Sequence, residues 1–347
     1  MTTPNDTTEE LDATEKTSLK QELQDSTDTL PVKRQLAILA VIMLLIFGNT
    51  QIPKALQSID VDSDEVTASV PDTVVEKPVP KPDTTDYFAE ISILAESAYV
   101  WDVQGQRALY RKNADEQLPL ASVTKLMTAL LAHELLQSDS EIPITVSAIK
   151  QDGNSGFSDG ETFSLKKLLD LTLLSSSNDG AYAIATAVGA ELSSDTEHAA
   201  ETFVQAMNIK AEDLDLSQTY FRNPTGLDIS ETEGGAYGSA RDVAFLMEHI
   251  LTNYPHILEQ TQEQFASIAN SQGQEHSFEN TNRAIDSLDG LIGSKTGYTE
   301  LAGGNLVIAF DAAFNRPLIV VVLGSSRNGR FDDVLQLVDA THNTLTQ

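Results

Sequence analysis

The 347-residue sequence changes character at residue 87, and that change limits what the chain can fold into. Residues 53–86 carry Pro53, Pro71, Pro78, Pro80 and Pro82 among acids and few large apolar side chains, the composition of an extended tether. From Phe88 apolar residues recur densely almost to Leu345 without an internal repeat. One folded domain over residues 87–347 is the economical reading.

Ahead of the tether, Leu36 to Phe47 is an uninterrupted apolar run. Its length as a helix is about 18 Å, and about 26 Å if extended to Ile52, against a hydrocarbon thickness of roughly 30 Å. Both flanks are polar, so nothing nearby in sequence would pack around a buried core helix. A cleaved signal peptide is the sharper rival, but an acidic lead precedes the run and no small-x-small site follows Phe47. The expectation is an uncleaved transmembrane anchor over residues 35–52. Lys33 and Arg34 then place the acidic head, residues 1–34, in the cytoplasm and everything after Ile52 on the cell-wall side of the membrane.

The formal charge is −30, of which residues 87–347 hold −21. Such a surface repels phosphate backbones, so no nucleic-acid partner is expected. With no cysteine there is no disulfide, thiolate nucleophile or zinc ribbon.

Within the domain, Ser97–Val103 and Ala108–Arg111 read as strands joined by a turn at Gln104-Gly105. Helical spacing predicts helices over Val123–Leu136, with Ser122 at its N-terminus, and over Leu165–Leu174, Ala181–Val188 and Arg241–Ile250. Asn305–Phe310 and Pro317–Leu323 form a hairpin, and Phe331–Ala340 a final helix. Strands at both ends with helices between predict one antiparallel sheet covered by helices, a mixed α/β architecture.

Three short motifs fall on these elements. Ser122-Val123-Thr124-Lys125 starts a helix, where positions i and i+3 share a face and bring the amine to the hydroxyl. Ser176-Ser177-Asn178 opens the break after the leucine-rich helix, and Lys295-Thr296-Gly297 precedes the C-terminal hairpin. Singly, each has a plain structural explanation: a solvated first-turn lysine, a helix N-cap, an exposed strand lysine beside a turn glycine. Together and in this order they point to a serine nucleophile served by lysine instead of histidine.

With these motifs the sequence resembles the active-site serine D-Ala-D-Ala carboxypeptidases, the low-molecular-mass penicillin-binding proteins. The likeness runs from about Ser97 to Leu337. It includes Leu118–Thr128, Asp159-Gly160-Glu161, Phe221–Asp228, Ala240-Arg241-Asp242 and Asn280-Thr281-Asn282. The resemblance implies a helical cluster against a five-stranded antiparallel sheet. It also implies carboxypeptidase action on peptidoglycan stem peptides ending in D-Ala-D-Ala, covalent binding of β-lactams at Ser122, and no cofactor. About 50 residues follow Gly297, leaving no room for the extra β-rich domain or C-terminal amphipathic helix of many relatives, so attachment is expected from the front.

The residue types fit that chemistry. Lys125 can take the Ser122 proton only as a neutral amine, and burial, its helix and the Lys295 ammonium would all lower its pKa. Ser176 would pass the proton to the leaving nitrogen, while Asn178 would hydrogen-bond the substrate amide and Lys125. Lys295 and Thr296 would bind the terminal carboxylate. Gly297 would let the peptide lie against the strand edge. The amides of Ser122 and Tyr298 would hold the oxyanion. Arg330 would add to carboxylate binding, an assignment that rests on likeness of position.

Other readings have less support. His133-Glu134 begins like a zinc helix, but residue 137 is glutamine. Gly290–Thr296 imitates a phosphate loop with Ser294 where glycine is needed, and Asp152–Glu161 misplaces the glycine of a calcium loop and reads as a polar hairpin loop. Neither metal nor nucleotide is implied. A class A β-lactamase would need an E-x-x-L-N glutamate; the segment from Asn178 to Lys295 offers only Glu212-Asp213-Leu214-Asp215. A β-lactam is therefore expected to acylate Ser122 and leave slowly. A D,D-endopeptidase cutting cross-links shares the acyl-enzyme step, and a catalytically silent wall-binding module is the non-enzymatic alternative.

Overall fold

The computed structural model describes residues 86–153, 155–313 and 315–346. The head, the apolar run expected to be an anchor and most of the tether lie outside the described residues. No helix among the described residues is long and apolar enough to cross a membrane.

Among the described residues twelve strands occur, in chain order: β1 (Ser97–Asp102), β2 (Arg107–Lys112), β3 (Leu118–Pro119), β4 (Glu141–Pro143), β5 (Thr162–Ser164), β6 (Tyr220–Phe221), β7 (Ala236–Gly238), β8 (Phe265–Ala269), β9 (Glu275–Glu279), β10 (Leu291–Thr299), β11 (Gly303–Asp311) and β12 (Pro317–Ser325). Five of them form one antiparallel sheet in the order β10-β11-β12-β1-β2. The helices are α1 (Lys125–Leu135), α2 (Leu165–Ser175), α3 (Asn178–Leu192), α4 (Ala199–Asp213), α5 (Ala240–Asn253) and α6 (Gly329–Leu345). The mixed α/β architecture with a five-stranded antiparallel sheet is thus the observed fold.

Both faces of this sheet are covered. Tyr99, Trp101, Val307, Ile319 and Val321 face the cluster built with α1–α5, while Ala98, Val100, Ile308, Val320 and Val322 face Phe331, Val334 and Leu337 of α6. Alternation along β1 therefore sorts side chains between two cores, and all six of its residues are buried. The predicted strands and helices occur with ends shifted by a few residues. Asp152–Glu161 lies in the loop joining the paired strands β4 and β5, as the hairpin reading expects.

Three local differences matter for the site. Ser122 lies in a 3-10 turn, Ala121–Thr124, so the α-helix begins only at Lys125. The helix expected at Ala181 starts at Asn178, whose preceding residue Ser177 caps it by accepting from the Gly180 amide. Helix α1 is buried on nearly every side, His133 excepted, and so runs through the middle of the helical cluster. His133 packs edge-on to His256, and Glu134 pairs with Lys210 at 2.8 Å, which accounts for the look-alike zinc pair. No group of three or more potential metal ligands occurs among the described residues.

Candidate active site

Ser122, Lys125, Ser176, Asn178, Lys295 and Arg330 are joined through a short series of contacts. Lys125 Nζ is 2.8 Å from Ser122 Oγ, 2.7 Å from Asn178 Oδ1 and 2.7 Å from the Thr225 carbonyl oxygen. Asn178 Oδ1 and a carbonyl can only accept, so they take two N–H groups of the amine. In a neutral amine the remaining lone pair then faces the Ser122 hydroxyl. Burial lowers the Lys125 amine to about 7. Lys295 lies well below the usual lysine range through burial, then the neighbouring Lys125, then Arg330.

Lys295, on β10, is 1% exposed, and its Nζ donates to Ser176 Oγ and to the Thr296 carbonyl, both at 2.8 Å. Ser176 sits between α2 and α3 in the left-handed region, φ 62°, which only a well-braced residue other than glycine adopts. Thr296 Oγ1 is 2.6 Å from Thr281 Oγ1, and the Asn282 amide donates to Ser294 Oγ at 3.1 Å, so the Asn280–Asn282 segment is fixed to β10.

Gly297 meets a constraint besides the one expected. A Cβ there would stand 2.9 Å from the Leu120 carbonyl and 3.2 Å from the Ser122 amide nitrogen. The strand rests on the turn that carries Ser122, and glycine permits that approach. Arg330, on α6, donates from Nη1 to the Gly297 carbonyl at 2.5 Å; burial, then Arg327 and Arg283, lower it to about 10. Tyr298 follows on β10 with its ring beneath the Arg327 guanidinium at 4.9 Å, and its hydroxyl donates to Glu300.

The sequence pattern gave no role to Phe221–Asp228, and here it braces the turn and helix that carry Ser122 and Lys125. Thr225 supplies the third partner of Lys125, Pro224 accepts from Thr128 Oγ1 at 2.7 Å, and Asp228 accepts from Thr299 Oγ1 at 3.0 Å. Gly226, φ +78°, passes so close that a Cβ would stand 1.8 Å from the Ala121 carbonyl. Asn223 Oδ1 accepts from Thr225 and Gly226 and shapes the turn. The signal was available: an Asn-Pro-Thr-Gly run is a turn with a required glycine. Its contact with Lys125 is made by a backbone carbonyl, which no side-chain pattern announces.

Beside Ser176 and Asn178 opens a cavity of about 450 Å³, lined by Gly153, Ser155, Gly156, Ser277 and Phe278.

Comparison with known proteins identifies the family and the fold. The D-alanyl-D-alanine carboxypeptidase family, Peptidase_S11, matches residues 83–327. The D-alanyl-D-alanine carboxypeptidase DacF of Bacillus subtilis is 33% identical over 257 residues, covering 72% of this chain but 63% of the relative, less than two thirds of its length. A D-alanyl-D-alanine endopeptidase of Pseudomonas aeruginosa is 31% identical over 251 residues, covering 71% of this chain and 74% of the relative. Penicillin-binding protein D2 of Listeria monocytogenes in its ampicillin-bound form superposes with a TM-score of 0.59 at 28% identity, covering 72% of this chain and 98% of that one. By family match and by fold, this chain belongs to the D-alanyl-D-alanine carboxypeptidase family of serine peptidases.

Proposed function

We propose that the chain is a serine D-Ala-D-Ala carboxypeptidase that trims peptidoglycan stem peptides through an acyl-enzyme on Ser122. The observation that carries this reading is the setting of Lys125: fully buried, near pKa 7, with two acceptors holding its N–H groups and its lone pair free for the Ser122 hydroxyl. Ser122 Oγ attacks the carbonyl of the penultimate D-alanine as Lys125 takes its proton. The oxyanion is held by the amides of Ser122 and Tyr298, a role supported by the contact of the nucleophile's turn with β10 at Gly297. Collapse of the intermediate breaks the peptide bond, and the proton taken up by Lys125 is relayed through the Ser176 hydroxyl to the departing D-alanine nitrogen, which leaves both residues as they began. Water then hydrolyses the ester and restores Ser122.

Lys295, Thr296 and Arg330 select a free C-terminus. A buried Lys295 is disfavoured as an ammonium on its own, and a bound carboxylate supplies the counter-charge that restores it. Asn178 reaches both Lys125 and the substrate amide, and Gly297 leaves the strand edge open to the peptide. A β-lactam enters the same path and acylates Ser122, a reading supported by the ampicillin-bound form of the Listeria neighbour. Endopeptidase relatives of similar identity support cross-link cutting as a second reading.

The apolar run and the basic pair Lys33-Arg34 support a membrane anchor with residues 87–347 on the cell-wall side, where the substrate is. Release of free D-alanine from a pentapeptide ending in D-Ala-D-Ala, lost in Ser122→Ala, tests the activity. Mass spectrometry of cross-linked stem dimers after incubation separates trimming from cross-link cutting. No release by the parent protein overturns the reading.

A further inference from the structure

Asn178 is held at both ends of its amide. Oδ1 faces Lys125 Nζ at 2.7 Å, and Nδ2 donates to the Asp152 carbonyl at 2.6 Å. A carbonyl only accepts, so Asp152 decides which end of the amide faces the lysine. That carbonyl belongs to the β4–β5 loop, and the loop is seated on α3 through Ser155. The Ser155 amide donates to Asp179 Oδ2 at 3.2 Å, and its Oγ lies 2.6 Å from Ser177 Oγ. At Gly153, φ +91°, a Cβ would come within 3.3 Å of Asn178 Nδ2, so backbone and amide are closely packed. Asp179 is 1% exposed, and burial holds its carboxyl above the usual carboxylate range against the Ser155 hydrogen bonds.

We propose that Asp179 and Ser155 are positioning residues for the general base: they seat the loop so that the Asp152 carbonyl turns the acceptor end of Asn178 toward Lys125. The proposal rests on the carboxypeptidase reading for its catalytic meaning. A first-turn aspartate also suits a helix dipole, a purely structural role that would not govern the titration of Lys125.

The full chain labelled with 13C-lysine gives the test, with the Lys125 13Cε resonance, identified by its loss in Lys125→Met, titrated against pH. In Asp179→Ala the amide is released and one acceptor favouring the ammonium is lost, so the midpoint is expected to fall by about half a pH unit or more. Ser155→Ala is expected to shift it in the same direction and serves if Asp179→Ala fails to fold. Asp179→Asn, whose Oδ1 still accepts from the Ser155 amide, is expected to stay within about 0.2 units of the parent. Unchanged or raised midpoints in both Asp179→Ala and Ser155→Ala overturn the proposal, as does an Asp179→Asn shift equal to that of Asp179→Ala. Penicillin acylation of the parent is followed in parallel: its absence would sink the carboxypeptidase reading, while the titration still decides the positioning role.

Discussion

Gly297 lies against Ser122 so closely that a Cβ would stand 3.2 Å from the serine amide nitrogen. Gly297→Ala is expected to push β10 off the nucleophile's turn while the sheet persists. The rate of β-lactam acylation should fall at least about tenfold, with a stability loss of only about 1 kcal/mol. Stopped-flow acylation and urea unfolding of the same variant check this.

Gly226 is under heavier constraint, because a Cβ 1.8 Å from the Ala121 carbonyl adds to a left-handed backbone. Gly226→Ala is expected to lose roughly 3 kcal/mol or more and to displace the Thr225 carbonyl from Lys125. Urea unfolding reads the first effect. The second should appear as weakened acylation in the fraction that remains folded.

Lys125 is held in the form that chemistry needs at the expense of stability. Its amine titrates at about 7 in the fold and at about 10.4 in an open chain, so between these values the unfolded state binds the extra proton and stability rises with pH. At pH 7 the burden is on the order of 4 kcal/mol, and three hydrogen bonds of roughly 1 kcal/mol each offset part of it. Lys125→Met is therefore expected to be inactive yet more stable at pH 7 by about 1 kcal/mol, with the advantage gone near pH 10. Chemical unfolding at the two pH values provides the comparison.

Glu134 and Lys210 form a buried ion pair at 2.8 Å between α1 and α4. Burial would raise the Glu134 carboxyl, but His249 and Lys210 bring it below the usual range, so its stabilising effect is present at neutral pH and fades in acid. Glu134→Ala removes the carboxylate that faces a buried ammonium and is expected to lose about 3 kcal/mol, with the acylation rate of folded protein unchanged. Urea titration combined with active-site labelling measures both.

The sheet and the three motifs were legible because their signals lie in side-chain pattern: Tyr99 and Trp101 alternate with Ala98 and Val100, and Leu126, Leu130 and Leu131 recur at helical spacing. Helix α4 was not. Its buried stripe is Ala199, Phe203, Ala206, Met207, Lys210 and Ala211, a proper helical spacing built largely from alanines and from a lysine that is buried by pairing with Glu134. The β8–β9 hairpin was hidden for a related reason: Phe265 is exposed while His276 is buried against Glu161 at 2.8 Å, inverting the usual polarity. In the site, Ser122, Lys125, Ser176, Asn178 and Lys295 could be named from sequence. The Thr225 and Asp152 carbonyls could not, since backbone acceptors are the same in every residue and only the fold brings them to Lys125 and Asn178.

The pH dependence of acylation at Ser122 by a fluorescent penicillin tests the neutral-lysine account most directly. With Lys125 as base the rate should fall about tenfold per unit on the acid side of a midpoint near 7 and level off above it, in step with the pKa set by burial. A rate that is flat from about pH 5 to 9, or one whose midpoint lies near the ordinary lysine value of about 10.4, would contradict it.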